Sequence, residues 1–154
     1  MARWKRGDPA PEFALRSDSG ETIRLRDLRG RRVVLYFYPK DDTPGCTVEA
    51  CGFRDRHDAL DDARAVVLGV SPDDVASHVR FKEKHDLPFP LLADPDHRVA
   101  SAYGAWGKKK MYGKEYEGVL RQTFVIDEQG NFLKVFEKVT PQGHAEEILQ
   151  VLAT

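Results

Sequence analysis

Hydrophobic positions along the chain fall into short blocks separated by Asp-, Pro- and Gly-rich turns, and the period inside each block predicts its element. Residues 33–38, Val33-Val34-Leu35-Tyr36-Phe37-Tyr38, are apolar or aromatic throughout, as in a strand buried on both faces, and Pro39 ends the run. Residues 65–70 predict a second buried strand, and residues 46–63 between the two have the length and composition of a helix. Ser71-Pro72-Asp73-Asp74 reads as a helix start, with Ser71 as cap, Pro72 in the first helical position and two carboxylates at the positive end of the helix dipole. That helix is expected to run to about His85 and to stop before Leu87-Pro88. Residues 89–93 predict a short strand and residues 95–103 a short helix. After a polar, glycine-containing stretch, Thr123-Phe124-Val125-Ile126-Asp127 and Phe132-Leu133-Lys134-Val135-Phe136 flank Glu128-Gln129-Gly130-Asn131, a hairpin signal. A last helix is expected over residues 143–152. This order predicts an α/β fold with a central mixed β-sheet and helices on both faces.

Composition narrows the class. A chain of 154 residues is expected to form a single domain, residues 1–154, with a core that needs no disulfide staples. Hydrophobic residues at 41% and charged residues at 32% exclude a disordered or collagen-like chain. Basic residues (24) nearly balance acidic ones (25), so the total charge gives no reason to expect nucleic acid or an anionic membrane as partner. The segment Met1-Ala2-Arg3-Trp4-Lys5-Arg6-Gly7-Asp8-Pro9 is basic without an apolar stretch behind it, and the apolar runs are strand-sized. Neither a secretory leader nor a membrane span is expected, and the cytoplasm is the expected compartment. Lys108, Lys109 and Lys110, like Arg29, Arg31 and Arg32, read as solvated basic faces. The five histidines, His57, His78, His85, His97 and His144, lack metal-ligand spacing and are expected on the surface or as caps. No metal or other cofactor is expected.

Only two cysteines are present, Cys46 and Cys51, too few for a disulfide framework or an all-cysteine zinc site. In Pro39-Lys40-Asp41-Asp42-Thr43-Pro44-Gly45-Cys46 a loop leaving a buried strand becomes the first turn of a helix. Unpaired backbone N–H groups converge there and, with the helix dipole, favour a thiolate. The Thr43 hydroxyl can donate to the thiolate or to a substrate oxygen, and Pro39 and Pro44 stiffen the loop. Cys51 follows five residues later. On an ideal helix such positions are rotated by roughly 140° with Cα atoms about 8.6 Å apart, whereas a disulfide needs them within about 7 Å. If both residues are helical, a bond between them requires the first turns to unwind. The spacing suggests a disulfide made and broken with a conformational switch, and it speaks against a permanent staple.

The run Phe37-Tyr38-Pro39 through Thr43-Pro44-Gly45-Cys46-Thr47-Val48-Glu49-Ala50-Cys51 resembles the Pro-x-x-x-Thr-x-x-Cys active site of the peroxiredoxins. The second cysteine five residues on is similar to that of the bacterioferritin comigratory, or Q-type, subgroup, which is atypical two-cysteine in its chemistry. Gly7-Asp8-Pro9-Ala10-Pro11-Glu12-Phe13, Gly69-Val70-Ser71, Lys109-Lys110-Met111-Tyr112-Gly113-Lys114 and Arg121-Gln122-Thr123-Phe124-Val125-Ile126-Asp127 follow in the expected order, so the resemblance covers nearly the whole chain. It implies a thioredoxin-like fold and a thiol peroxidase acting on hydrogen peroxide and organic hydroperoxides. By the same resemblance Cys46 is peroxidatic and Cys51 resolving. Thr43 and Arg121 orient the peroxide and stabilise the thiolate, Pro39 shields the pocket, and thioredoxin or a similar dithiol is the reductant. An intramolecular resolving cysteine removes any chemical need for a second subunit, so a monomer is expected. Glu49 reads equally well as tuning the site or as favouring the first helical turn. Rival readings are a thioredoxin-type disulfide oxidoreductase, whose cysteines usually stand two residues apart, and a redox sensor or thiol-based chaperone.

Overall fold

A computed structural model describes residues 3–153; Met1 and Ala2, the start of the segment read for a leader, and Thr154 lie outside the described residues. The strands are β1 (Ala14–Ser17), β2 (Thr22–Arg24), β3 (Arg32–Phe37), β4 (Ala65–Ser71), β5 (Leu91–Ala93), β6 (Trp106–Met111), β7 (Lys114–Val119), β8 (Gln122–Ile126) and β9 (Phe132–Phe136). The helices are α1 (Pro44–Asp55), α2 (His57–Asp62), α3 (Val75–His85), α4 (Arg98–Tyr103) and α5 (His144–Leu152). Seven strands form one sheet in the order β2-β1-β5-β4-β3-β8-β9, and β6 and β7 form a separate hairpin. The centre is parallel, β3 with β4 and β4 with β5, and β8 and β9 continue it antiparallel. The sheet is therefore of mixed direction, with helices flanking it, as the order of blocks predicts.

The all-apolar run of β3 is explained by burial of both its faces. Val33, Leu35 and Phe37 enter one cluster with Phe13, Tyr103, Phe124 and Phe132. Val34, Tyr36 and Tyr38 alternate into the opposite cluster with Cys46, Phe53, Phe89 and Ile148. Cys46 is thus seated in the hydrophobic layer on the helix side of β3. Val125 of β8 joins that second cluster while Phe124 and Ile126 join the first, the same period of two.

Four local expectations change. The helix after β3 begins at Pro44, two residues before Cys46, because proline at the first helical position has no N–H to lose; it leaves helical geometry at Arg56, so residues 46–63 form two helices. Ser71 caps nothing. It is the last residue of β4, paired with Ala93, and its hydroxyl donates to Asp73, while Asp74 caps α3 by accepting from the Ser77 N–H. Residues 89–93 yield only the three-residue β5, and the following helix starts at Arg98. The polar stretch after α4 is the β6–β7 hairpin. Its strands alternate too weakly in hydrophobicity to announce themselves, but Tyr112 (φ 53°) and Gly113 (φ 79°) make the left-handed two-residue turn that hairpins favour.

Candidate active site

Antiparallel pairing of β8 with β3 sets Gln122 opposite Phe37 and Thr123 opposite Tyr36. Arg121, immediately before β8, therefore stands where the chain leaves β3 for α1, 75 positions from Cys46 in sequence but adjacent in space. Its Nη2 lies 3.3 Å from Cys46 Sγ and its Nη1 2.7 Å from Glu49 Oε1. One guanidinium thus spans the thiol and a carboxylate that α1 presents one turn further on. Gly45 makes room for it: a Cβ there would lie 3.2 Å from Arg121 Nη2.

Cys46 is the third residue of α1 and is 1% exposed. The first intrahelical bond runs from the Thr47 N–H to the Thr43 carbonyl, so the Gly45 and Cys46 N–H groups belong to the unpaired first turn. Cys51 lies on the same helix, half-buried, and both cysteines are free thiols. Thr43 provides the extended backbone of the N-cap, but its side chain caps nothing; the hydroxyl donates to the Lys40 carbonyl at 2.9 Å. The sequence leaves Thr43 able to donate to the thiolate or to a substrate oxygen; here the hydroxyl's one hydrogen goes to the loop's own carbonyl. Pro39 is half-buried directly after Tyr38, at the start of the loop that ends in α1.

Glu49 belongs to the second turn of α1 and is buried against Arg121. Burial pushes its carboxyl from 4.5 up to about 7, and the charge and hydrogen bond of Arg121 only partly oppose this. Among the described residues Oε2 has no hydrogen-bond partner, which accords with that upward push. Arg121 stays a cation: burial lowers its pKa, but Glu49 and Cys46 more than restore it and leave it raised. Behind them Tyr36, fully buried with its hydroxyl close to Gly69, is raised well above its ordinary value by burial and by Glu49.

The expectation of surface or capping histidines fails for two of the five. His78 and His144 are 0% and 1% exposed. His144 Nε2 meets the Thr123 hydroxyl at 2.8 Å and Nδ1 meets Glu147 at 3.1 Å, between the rings of Phe53 and Phe136. Burial lowers its pKa. Lys109 also departs from a fully solvated face: it is half-buried, lies 5.9 Å over the Tyr116 ring and donates to the Val119 carbonyl, whereas Lys108 and Lys110 are exposed.

A thiol at a helix start, beside a fixed cation and on the rim of a mixed sheet, defines a thioredoxin-like protein with a nucleophilic-cysteine centre. The AhpC/TSA family profile matches residues 6–134, and the chain belongs to that family. It is 51% identical over 146 residues to Peroxiredoxin Bcp of Bacillus subtilis, covering 95% of this chain and 93% of the relative. It is 46% identical over 148 residues to Peroxiredoxin Bcp of Escherichia coli, covering 96% and 95%. Peroxiredoxin Q of Xanthomonas campestris superposes with a TM-score of 0.87 at 39% identity, covering 92% and 89% of the two chains. A cysteine-to-serine mutant of PrxQ from Xylella fastidiosa gives 0.93 at 33% identity, covering 99% and 98%. The chain is accordingly a thiol-dependent peroxidase of thioredoxin-like fold. Among the described residues, no helix is long and apolar enough to cross a membrane.

Proposed function

We propose that this chain reduces hydrogen peroxide and organic hydroperoxides through Cys46, and the contact of Arg121 with Cys46 Sγ carries the assignment. The Cys46 thiolate attacks the nearer peroxide oxygen, the O–O bond breaks, and the departing oxygen takes a proton and leaves as water or an alcohol. The sulfur, oxidised by two electrons, becomes a sulfenic acid. Arg121 and the free N–H groups of the first turn stabilise the charge that moves onto the departing oxygen. Thr43, whose hydrogen goes to Lys40, offers its oxygen to the O–H of the incoming peroxide, and Pro39 covers the pocket. Cys51 then attacks the sulfenic sulfur after the first turns of α1 unwind; water leaves and an intramolecular disulfide forms. A dithiol, thioredoxin or a similar protein, reduces it by exchange. The organic substrate class is supported by a bacterioferritin comigratory protein of Xanthomonas campestris, 38% identical, studied for alkyl peroxide reduction. With both cysteines on one helix of one chain the cycle needs no second subunit, which supports a monomer.

Reduced protein mixed with one equivalent of peroxide tests this directly by rapid quench, alkylation and mass spectrometry. The wild type should form one disulfide between Cys46 and Cys51, and Cys51→Ser should stop at a sulfenic acid on Cys46. A Cys46→Ser protein that consumes peroxide at the wild-type rate refutes the assignment. Intrinsic fluorescence is a poorer readout, because Trp4 and Trp106 both pack against the cluster on the opposite face of the sheet from Cys46.

A further inference from the structure

The loop between β3 and α1 is held by a buried polar cluster that the peroxidase chemistry does not use. Asp41, in the middle of that loop, is 7% exposed, and its carboxylate accepts three hydrogen bonds. Tyr38 Oη donates to Oδ1 at 2.6 Å, and Ser77 Oγ donates to Oδ2 at 2.8 Å. His78 Nδ1 meets Oδ2 at 2.7 Å. The Asp41 N–H is fixed as well, donating at 2.8 Å to Asp73 Oδ2, which also receives the Ser71 hydroxyl. The other ring nitrogen of His78, Nε2, lies 2.9 Å from the Leu92 carbonyl of β5.

A proton count follows from the acceptors. A carbonyl oxygen has no hydrogen to give, so Nε2 must carry one to bond Leu92. A carboxylate has none either, so Nδ1 must carry a second to bond Asp41. A neutral imidazole has a single N–H, so against an ionised Asp41, which already accepts from Tyr38 and Ser77, only an imidazolium makes both bonds. We propose that Asp41 and His78 form a buried carboxylate–imidazolium latch that ties the loop bearing Pro39 and Thr43 to α3 and β5, positioning the peroxidatic pocket and resisting the unwinding that lets Cys51 reach Cys46.

The groups that face the His78 ring are consistent with such a pair. Burial would lower its pKa, but Asp41, the Leu92 carbonyl and Asp73 outweigh burial and hold it above the ordinary 6.5. Tyr38, whose ring centroid is 6.5 Å away, stays neutral because burial raises its pKa. A histidine raised on folding adds stability that is complete below its unfolded pKa and is lost as pH rises through the folded one. The latch therefore slackens as pH rises through the His78 transition. Asp41 and His78 touch no substrate; they are positioning residues.

The inference rests on the thiol-peroxidase reading of Cys46, and its test separates the two. Nitrogen-15 spectra of the reduced wild-type protein at neutral pH should show a proton on both ring nitrogens of His78; a neutral ring there overturns the latch even if no variant folds. In rapid-quench mass spectrometry His78→Gln should oxidise Cys46 about three- to tenfold more slowly, yet close the disulfide faster than the wild type. Wild-type closure should accelerate as pH rises through the His78 transition. Asp41→Asn, whose amide can donate to an unprotonated Nδ1, should turn His78 neutral and flatten that profile while keeping the loop anchored. If Cys46 oxidises normally and all three proteins share one closure rate and one pH profile, the latch is wrong and the peroxidase reading stands. If peroxide leaves Cys46 of the wild type untouched, the peroxidase reading is wrong.

Discussion

Cys46 and Cys51 stand on the same helix five residues apart, yet their surroundings differ in every respect that governs sulfur chemistry. Cys46 occupies the first turn, buried, with Arg121 at 3.3 Å from its sulfur and helix N–H groups unpaired around it. Cys51 lies in the second turn, half-buried, where the backbone N–H groups are already committed to the helix. Proximity to a fixed cation and to unpaired donors stabilises negative charge on sulfur; mid-helix backbone does not. On the proposed mechanism identical residue types divide the labour, with Cys46 attacking and Cys51 waiting for the helix to open.

The sharpest way to break this comparison is to remove the cation. Arg121→Met should slow oxidation of Cys46 by about a hundred- to a thousandfold, because a preorganised donor to the departing oxygen is lost, while alkylation of Cys51 should be unaffected. Equal oxidation rates for variant and wild type, measured by rapid quench, would assign the activation of Cys46 to the helix start alone.

Glu49 sharpens the picture through pH. Its carboxyl is raised from 4.5 to about 7, so the folded protein holds that proton more tightly than the unfolded chain. Wild-type stability relative to Glu49→Gln should be greatest at acid pH and fall as pH rises from about 4.5 to about 7, by on the order of 1 to 3 kcal/mol. Urea titrations of both proteins at several pH values measure this difference; a constant difference would mean that the carboxyl is not raised.

Gly45→Ala sets local stability against function. Replacing glycine inside a helix favours the helix by about 1 kcal/mol, but the new Cβ would press on Arg121 Nη2 at 3.2 Å. Oxidation of Cys46 should slow by roughly threefold while thermal unfolding moves up, and a faster, more stable variant would show that the guanidinium has room to spare. The smallest effect belongs to Cys51→Ser, whose first oxidation should match the wild type within about twofold, since Cys51 lies beyond the first turn and the Arg121 contact that surround Cys46. A large loss in that step would end the division of labour between the two thiols.

Much of the site is legible in the chain because it is local. An apolar strand, a loop with two prolines and a cysteine at a helix start lie within fifteen positions or so, and each signal rests on short-range geometry. Arg121 is less local, and its reading depended on the family resemblance. Glu49 was open between two roles, since a carboxylate near a helix start is favourable whether or not it meets anything. The Asp41–His78 pair leaves no trace in the sequence: Asp41 stands beside a second aspartate in its loop, and His78 sits in a helix of mixed polar and apolar residues. The β6–β7 hairpin escaped for a related reason, as largely exposed strands carry no strong alternation.

The sequence by itself determined the order of the elements from β3 to α4 and from β8 to α5, the burial of β3 and the placement of Cys46 where a helix begins, because these follow from backbone periodicity and end effects within a few residues. Only the tertiary structure decided which charges meet. Antiparallel pairing of β8 with β3 carries Arg121 to Cys46 and Glu49, and the packing of α3 against β5 and the loop brings His78 to Asp41. Such contacts join residues 37 to 75 positions apart, and no local preference encodes them. They exist because sheet register and helix packing fix the positions of side chains that would be ordinary surface charges elsewhere.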